Sequence, residues 1–443
     1  MRADNSYKGI LLVALPIMLG NFIQFAVALT DSAFLSRVDS LAFAASGNAA
    51  MIYITIFTIC MGFTQGVQIL IARRYGEQRR QDIGNILYHS FVSVGGMALV
   101  FMILLLYFAP NIISATVKSV EIGELMNRFL VVRAWGLIPG TIYQIFVAHY
   151  SALGKTKFLT WGSIILAVFN IVLDYLLVFG EFGFPQMGLE GVALASVLAE
   201  CAAMIFGFSY FLLDKETKTF FLRGWDKLKV SVISRLFKLS YPLMIQMLMA
   251  TSSWVFFFMM IEQVGEVELE VSQVLRNMYF IAFIPIMGFS TATRTYVSQY
   301  ISLNNKAELI QTTKRLTILS LLFLLIFIHG VFLYPEALIS LINDRDYVIE
   351  QTVPLLYLIS GSMVLFSIVG VLFNVVAGSG NTFVSMIIEL SCILIYLCIS
   401  YYVIVMNYSS LTGVWSMEYV YFGAMGLLST LYLWKGNWMN KKI

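Results

Sequence analysis

The sequence predicts an all-α integral membrane protein with twelve transmembrane helices in two pseudo-symmetric six-helix lobes. Composition is the first reason, because 59% of the 443 residues are hydrophobic and only 12% are charged. A soluble globular protein carries about 25% charged residues. Apolar runs of about 20 residues recur from end to end, and each is long enough to cross a bilayer core as a helix. An internal repeat divides these runs into two sets of six.

Twelve apolar runs define the predicted spans. In the first half they are 10–35, 46–72, 86–108, 130–153, 158–180 and 188–213. In the second half they are 234–261, 268–294, 314–334, 351–377, 382–408 and 412–434. The first run follows the polar start MRADNSYK, is long and contains Asp31, so we interpret it as a retained helix and not as a signal peptide. Arg276 leaves the eighth span with only a short charge-free stretch.

The distribution of basic residues predicts the orientation of the chain. An even number of spans places both termini on the same side of the membrane. If that side is the cytoplasm, the inward-facing segments carry 22 of the 28 Lys and Arg residues, as the positive-inside rule requires. Acidic residues are concentrated in segments assigned to the outside, such as EQVGEVELE (262–270) and NDRDY (343–347). The sequence therefore predicts a multi-pass protein with both termini in the cytoplasm.

The two halves of the chain match at a constant offset of 226 residues. The matched segments are LPIM (15–18) with YPLM (241–244), MGFT (61–64) with MGFS (287–290), and ALGKT (152–156) with GSGNT (378–382). With six spans each, the copies have the same orientation and are parallel repeats related by an axis along the membrane normal. We therefore predict an amino-terminal lobe at 1–213, a cytoplasmic linker at 214–233 and a carboxy-terminal lobe at 234–443.

A duplicated twelve-helix body without a soluble domain is typical of a carrier that works by alternating access. In such a carrier two bundles rock about a central site. A duplicated channel or a purely structural bundle is the alternative interpretation. Polar residues inside the spans are therefore the next features to consider.

Four acidic residues lie well inside predicted spans: Asp31, Asp174, Glu200 and Glu389. On insertion scales an acid at the centre of a transmembrane helix costs about 2.5–3.5 kcal/mol, so each is a candidate functional residue. Depth distinguishes among them. Asp31 and Asp174 lie roughly 6–9 Å from the outer ends of the first and fifth spans, at a rise of 1.5 Å per residue.

Asn170 and Ser196 share one layer of the amino-terminal lobe with these two aspartates. Asn170 precedes Asp174 by four residues and so lies on the same helix face, and Ser196 has a matching depth in the sixth span. Two neighbouring carboxylates in a low dielectric cannot both stay ionised without a large free-energy cost. The layer is therefore predicted to exchange protons or to hold Na⁺ with hard oxygen ligands. The alternative is that each aspartate only hydrogen-bonds a hydroxyl or backbone group at a helix break.

The second half does not repeat these side chains. At the offset of 226, the counterparts of Asp31, Asn170 and Asp174 are Phe257, Tyr396 and Ser400. The repeat has kept its scaffold without these carboxylates. We therefore predict that cation coupling is asymmetric between the lobes.

Three further residues are secondary candidates. Glu200 lies one helical turn after Ser196 on the same face, where it either serves the site or holds helices together. Glu389 lies in the eleventh span, where it either lines the transport pathway or pairs locally. Pro16 lies in the first span on the cytoplasmic side of Asp31 and is a candidate hinge, with a static bend as the alternative.

An ordered set of segments carries a family resemblance. The segments are ALPIMLGNFIQ…TDSAFLSRV (14–38), ALGKTK (152–157), FNIVLD (169–174), GLEGVALASVLAE (188–200), SYPLMIQ (240–246), MGFSTATRTYVSQY (287–300) and AGSGNT (377–382). Over nearly its whole length the chain resembles the multidrug and toxic compound extrusion (MATE) transporters. No single segment is decisive, but the order and position of the set within a duplicated twelve-helix chain are specific.

The resemblance implies a V-shaped pair of six-helix lobes that exports organic cations against an inward flow of H⁺ or Na⁺. In DinF-like bacterial members, the amino-terminal lobe holds an ion site made of an Asp, an Asn, a second Asp and a Thr. The matching residues here are Asp31, Asn170, Asp174 and, with serine in place of threonine, Ser196. The NorM-like branch adds carboxylates in the second lobe, where this chain has Thr251 and Phe366. At the ion site the chain is therefore nearer the DinF-like branch.

We expect a secondary antiporter in the inner membrane of a bacterium, exporting small organic cations in exchange for H⁺ or Na⁺. The ion neutralises Asp31 and Asp174 while Asn170 and Ser196 complete its shell, and this shifts the first helix near Pro16 and releases the substrate outside. We expect no cofactor apart from the coupling ion and no catalytic residue. We also expect a monomer in the lipid bilayer with no nucleic-acid partner.

Three other functions fit part of the pattern. A flippase for a lipid-linked saccharide or another polar lipid needs a cationic cleft, and no intramembrane Arg or Lys is placed deep enough to line one. A major-facilitator carrier is also built six plus six, but RRYGEQRRQDIG (73–84) lacks the Asp-Arg/Lys-x-Gly-Arg-Arg order typical of that class. An intramembrane enzyme needs a motif such as HExxH or GxSxG, or paired His and Asp residues, and the spans contain none.

Overall fold

A computed structural model describes residues 4–37, 39–224, 228–302, 305–408 and 410–443. Every regular element among these residues is a helix. The helices of the first half are α1 (Tyr7–Ser36), α2 (Ser40–Gly76), α3 (Arg80–Thr116), α4 (Val120–Arg133), α5 (Leu137–Leu153), α6 (Lys157–Phe179), α7 (Leu189–Leu213) and α8 (Lys215–Gly224). Those of the second half are α9 (Val230–Glu262), α10 (Glu266–Ile301), α11 (Lys306–Leu333), α12 (Pro335–Ser340), α13 (Asp346–Gly378), α14 (Thr382–Tyr401), α15 (Leu411–Trp415) and α16 (Met417–Lys435).

Each of the twelve predicted spans falls on one helix or on successive helices: the fourth covers α4 and α5, the eleventh covers α14 and the π-helical segment Tyr402–Met406, and the twelfth covers α15 and α16. Eleven segments of the described chain are long and apolar enough to cross a membrane. The twelfth, α16, carries Glu418 and Lys435 near its ends, which shortens its apolar stretch. Arg276, the residue that shortens the charge-free stretch of the eighth span, lies inside α10. Its guanidinium is 5.1 Å from the centre of the Phe258 ring. The predicted all-α, multi-pass fold class is confirmed.

By packing, the chain forms two compact units. The first unit comprises Leu19–Met244, and the second comprises the residues up to Met18 together with Ile245–Ile443. The divisions fall inside α1 and α9, two residues after Pro16 and after Pro242. The predicted lobe boundaries concern the sequence repeat and stay a prediction. Residues 225–227 of the predicted linker lie outside the described part of the chain.

The repeated motifs ALGKT and GSGNT form the same kind of turn. Gly154 caps α5 with a φ of 73°, and Gly380 follows α13 with a φ of 85°. Both angles are in the left-handed region, which a residue without a Cβ adopts at little cost. Thr156 then precedes α6, and Thr382 is the first residue of α14. Each copy therefore ends one helix and starts the next.

The other two repeated motifs pack against each other. A Cβ at Gly62 of MGFT would lie 2.6 Å from Met244 Cα of YPLM, and a Cβ at Gly288 of MGFS would overlap Met18 Cγ of LPIM. Both contacts join positions that are related by the offset of 226. One contact joins α2 to α9 in the first unit, and the other joins α10 to α1 in the second unit. Glycine therefore allows the same close helix contact in both units.

An ion-pair cluster fixes α8 beside α3 and the turn between α5 and α6. Lys155 Nζ lies 3.0 Å from Asp214 Oδ2 and 2.9 Å from Glu216 Oε2, and Arg80 Nη1 lies 3.3 Å from Glu216 Oε1. Burial alone would raise the pKa of Asp214, but hydrogen bonds from Lys155 and Thr217 outweigh burial and lower that pKa. The start of the predicted linker is thus tied to the first unit.

Candidate cation-coupling site

Three helices of the first unit, α1, α6 and α7, carry the predicted ion ligands, and small residues bring these helices together. A Cβ at Gly191 of α7 would lie 2.8 Å from the backbone oxygen of Leu177 in α6. A Cβ at Gly20 of α1 would lie 2.9 Å from Ser163 Oγ, also in α6. Because both positions lack a side chain, α1 and α7 both approach α6 closely.

Asn170 links Asp31 of α1 to Asp174 of α6. We assign its amide with the nitrogen toward the carboxylates, because the opposite orientation points an oxygen at two acceptors. In this orientation Nδ2 donates to Asp31 Oδ1 at 2.9 Å and to Asp174 Oδ2 at 3.3 Å. The structure therefore brings both predicted aspartates to one amide.

Ser196 of α7 completes the group. Its Oγ lies 3.3 Å from the Asn170 amide and faces the amide oxygen in the assigned orientation. Asp174 is fully buried, and its Oδ1 has no hydrogen-bond partner among the described residues. A buried carboxylate oxygen without a partner is costly unless a proton or a cation satisfies it. All four residues proposed from the sequence thus meet at one place.

The group borders a cavity of about 440 Å³ inside the first unit. Asp31, Asn170 and Ser196 form part of the cavity wall, while the buried Asp174 lies behind them. The side chains that line the rest are largely apolar and include aromatic rings such as that of Phe57. Binding pockets for small molecules have volumes of about 300–1,000 Å³. The cavity is therefore large enough for a small organic molecule beside the carboxylates.

Glu200 both lines the cavity and joins two helices. Arg133, the last residue of α4, donates from Nη1 to Glu200 Oε2 at 2.8 Å and from Nη2 to Oε1 at 2.6 Å. The guanidinium also lies over the ring of Tyr53, 3.9 Å from its centre. Arg133 itself is a wall residue of the cavity. The expectation that no arginine lies deep enough to line a cleft is therefore wrong, because pairing with Glu200 lets this charge enter the protein.

The remaining two predicted residues belong to the second unit. Glu389 of α14 is buried and accepts a hydrogen bond from Tyr421 OH of α16 at 2.5 Å. Glu389 therefore has a local partner, and its place in the transport pathway stays a prediction. Pro16 lies inside an unbroken α1, close to the point where α1 passes from the second unit to the first. Its role as a hinge stays a prediction.

Glu418 of α16 is a buried carboxylate that the sequence reasoning missed. It is 4% exposed, and it accepts hydrogen bonds from Tyr279 OH at 2.7 Å and from Tyr396 OH at 3.1 Å. Tyr396 is the repeat counterpart of Asn170, so the second unit does have a carboxylate beside this position, supplied by a different helix. The signal was present, because Glu418 lies inside the twelfth predicted span.

The fold and the site together define a polytopic helical carrier, built from two copies of a six-span repeat and holding buried carboxylates beside a cavity. The MatE family model matches residues 16–176 and 242–402, once in each half and at the predicted offset. The chain belongs to the MatE family, whose members are transporters and not enzymes. The resemblance to the MATE transporters is therefore confirmed. The position nearer the DinF-like branch stays a prediction.

Two curated relatives are similar to the chain. A probable multidrug resistance protein NorM from Thermotoga maritima is 24% identical over 387 residues, covering 86% of this chain and 82% of that protein. A protein of the same description from Agrobacterium fabrum is 24% identical over 294 residues, covering 66% of this chain and 63% of that protein. Both alignments are consistent with the family assignment.

Two solved structures share the fold. A MOP superfamily transporter from Pyrococcus furiosus superposes with a TM-score of 0.90 at 18% identity, covering 100% of this chain and 98% of that one. An outward-facing multidrug resistance MATE family transporter superposes with a TM-score of 0.89 at 18% identity, covering 98% and 97%. At these identities the similarity establishes the architecture of the chain.

Proposed function

We propose that the chain is a secondary antiporter that exports small organic cations in exchange for H⁺ or Na⁺ by alternating access. One observation carries the proposal: the unpartnered Oδ1 of buried Asp174, joined through Asn170 to Asp31 at a cavity wall. A proton or Na⁺ bound there removes the repulsion between the two carboxylates. Membership in the MatE family, and relatives described as multidrug resistance proteins, support the export of organic compounds.

The coupling ion acts through the helices that carry its ligands. Asp31 is on α1, Asn170 and Asp174 are on α6, and Ser196 is on α7, so neutralising the carboxylates changes the forces among three helices. The ion drives the cycle only if it binds one conformational state more tightly than the other. In the proposed cycle α1 bends near Pro16, where the ring removes a backbone hydrogen bond.

The charges of the cavity favour a cationic substrate. Asp31 and Glu200 line the wall, against the single base Arg133. Because Arg133 already forms two hydrogen bonds with Glu200, the phosphate of a lipid-linked saccharide would have to break that pair. Aromatic rings in the wall provide faces for the positive group of an amphipathic cation. These contacts favour an organic cation over the substrate of a flippase.

The proposed setting is the inner membrane of a bacterium, with both termini in the cytoplasm and the chain acting as a monomer. The excess of basic residues in the segments assigned to the cytoplasm supports this orientation. Both the ion ligands and the cavity come from the first unit of one chain, so no second copy is needed to complete the site.

Transport by proteoliposomes tests the proposal. The purified protein is reconstituted, a panel of fluorescent organic cations is supplied, and a pH gradient and a Na⁺ gradient are imposed in separate experiments. We expect cation transport driven by one of the two gradients. Equal accumulation without any gradient would contradict antiport. Movement of a fluorescent lipid-linked saccharide, without movement of any cation, would instead favour the flippase.

A further inference from the structure

A groove in the second unit has a chemistry that the transport site does not use. Its volume is about 430 Å³, and it lies between α11, α13, the end of α16 and the segment after it. Lys306 and Lys314 of α11, Leu372 of α13, Leu433 of α16 and Trp438 contribute to its walls. Two basic residues and several apolar residues therefore border the same groove.

Helix α11 borders the groove with alternating basic and apolar residues. Lys306 is the first residue of the helix, and Ile310, Lys314 and Ile318 follow at intervals of four, close to one face. Both lysines are exposed, and Ile310 and Ile318 are 42% and 45% exposed. From Lys306 to Ile318 the helix rises about 18 Å. Basic and apolar side chains therefore alternate along this face, and Ile318 lies one helical turn beyond the second lysine.

The opposite wall is held in place by hydrogen bonds. Trp438 is 6% exposed, and its indole Nε1 donates to the backbone oxygen of Leu433 at 2.9 Å. Asn381 Nδ2 donates to the backbone oxygen of Trp438 at 3.0 Å. The segment after α16 is thus fastened to the turn before α14. The groove is therefore bordered by α11, by α13 and by a segment that hydrogen bonds hold in place.

We propose that this groove binds an anionic phospholipid of the cytoplasmic leaflet, with its phosphate between Lys306 and Lys314 and an acyl chain along Ile318 and Leu372. Charge complementarity supports this occupant, since both lysines are exposed and border the groove. The lysines lie at the helix ends assigned to the cytoplasm, where anionic lipids attract basic side chains. A free phosphate would contact the lysines but would leave the apolar part of the groove uncovered.

Lipid binding to the detergent-purified full chain tests the proposal. Native mass spectrometry would compare palmitoyl-oleoyl phosphatidylglycerol with the phosphatidylcholine of the same chains. The double variant Lys306→Gln/Lys314→Gln is paired with Lys215→Gln/Lys218→Gln, which removes the same charge from exposed positions of α8. We expect the first variant to weaken phosphatidylglycerol binding about tenfold, because each lysine near an anionic headgroup contributes to affinity. The α8 variant and the phosphatidylcholine affinity should stay unchanged.

Two further arms distinguish the lipid from a soluble anion. Inorganic phosphate and glycerophosphoglycerol, which lacks acyl chains, are added as competitors at a large excess over the lipid. Failure of both to displace phosphatidylglycerol supports a lipid site. Displacement by inorganic phosphate would overturn the proposal in favour of a free-anion site. Equal loss of lipid in the two lysine variants, or equal binding of both lipids, would also overturn it.

Discussion

Both units place buried carboxylates near equivalent positions of the repeat, but the hydrogen bonding of these carboxylates differs. In the first unit, Asp174 is buried, is linked to Asp31 through one amide and keeps an oxygen without a partner beside a cavity. In the second unit, Glu418 receives one phenol hydrogen bond on each oxygen, from Tyr279 and Tyr396. One oxygen of Asp174 therefore lacks a hydrogen-bond partner among the described residues, whereas both oxygens of Glu418 have one.

The two carboxylates differ in whether their oxygens are already hydrogen-bonded. Around Glu418 the neighbours are large rings, with Phe257 packed 5.6 Å from Tyr396 and 5.4 Å from Trp415 between ring centres. A buried carboxylate whose oxygens are both hydrogen-bonded stabilises a single packed arrangement. A carboxylate with an unsatisfied oxygen gains free energy when a proton or Na⁺ arrives. We therefore expect Asp174 to act as a switch in the first unit and Glu418 to stabilise the packing of the second unit.

The largest predicted effect on transport separates these two roles. We expect Asp174→Asn, and likewise Asp31→Asn, to lower ion-driven transport at least about tenfold, because a loss of about 1.4 kcal/mol in coupling free energy is a tenfold change. The asparagine side chain has nearly the same shape but does not take up a proton. Initial rates in proteoliposomes under the effective gradient measure the loss.

Glu418→Gln is the matched control for this comparison. It removes a buried charge of the second unit and keeps an oxygen that accepts from one of the two tyrosines. We expect this variant to retain most of its ion-driven transport. If Glu418→Gln abolished coupling while Asp174→Asn transported normally, the assignment of the switch to the first unit would be wrong. Recovery of each variant in the membrane fraction checks its insertion, and gel filtration checks that it is monodisperse in detergent.

The repeat made most of the fold predictable. The three matched motifs could be recognised from the sequence alone, and each has a structural reason. Gly154 and Gly380 end helices with a positive φ. Gly62 and Gly288 allow close contact between helices. Asn170 and Asp174 were predictable because an interval of four residues fixes a shared helix face. Local backbone geometry thus follows from the sequence at these positions.

The partners of the buried charges could not be predicted in the same way. Glu418 is at the counterpart position of Val192, so the offset of 226 gives no reason to look there. Arg133 and Glu200 are 67 residues apart, and their contact depends on how α4 crosses α7. Long side chains near span ends usually reach toward the membrane surface. Only the packed structure shows that Arg133 turns inward.

The largest predicted effect on stability concerns one ion pair in each unit. Arg133→Met leaves Glu200 buried without its partner, and we expect a loss of about 3–5 kcal/mol in unfolding free energy, as for other broken buried pairs. The double variant Arg133→Met/Glu200→Met should recover most of that loss. Thermal unfolding in detergent measures both changes.

The matched change in the second unit is Arg345→Met, which breaks an exposed pair with Glu270. Exposed pairs contribute little, since water screens them and two long side chains lose freedom. We expect no resolvable change in melting temperature. A fall as large as that of Arg133→Met would show that burial does not explain the difference between the pairs.

Glycine contacts give a smaller effect that again differs between the units. Gly62→Ala places a Cβ against the backbone at Met244, which does not yield easily, and we expect a loss of about 1–3 kcal/mol. Gly288→Ala meets the side chain of Met18, whose thioether can change rotamer. We therefore expect a smaller loss there. Equal melting temperatures for the two variants would argue against this backbone contact.

The smallest predicted effect is at Ser196, the proposed ligand that stands where the DinF-like transporters have threonine. Ser196→Ala removes the hydroxyl that faces the Asn170 amide oxygen, so we expect a loss of about 1 kcal/mol in the binding of the coupling ion. That loss corresponds to about a fivefold rise in the ion concentration needed for half-maximal transport. The maximal transport rate should change less, since both carboxylates remain.

Ser196→Thr is the control that separates the hydroxyl from the size of the side chain. Threonine keeps the oxygen and adds a methyl group, which has room because Ser196 borders the cavity. We expect the ion dependence of this variant to match the unchanged protein. If alanine and threonine shifted the ion dependence equally, the effect would come from packing of α7, and Ser196 would not be a ligand. If only alanine shifts it, the hydroxyl completes the shell that Asp31, Asn170 and Asp174 begin.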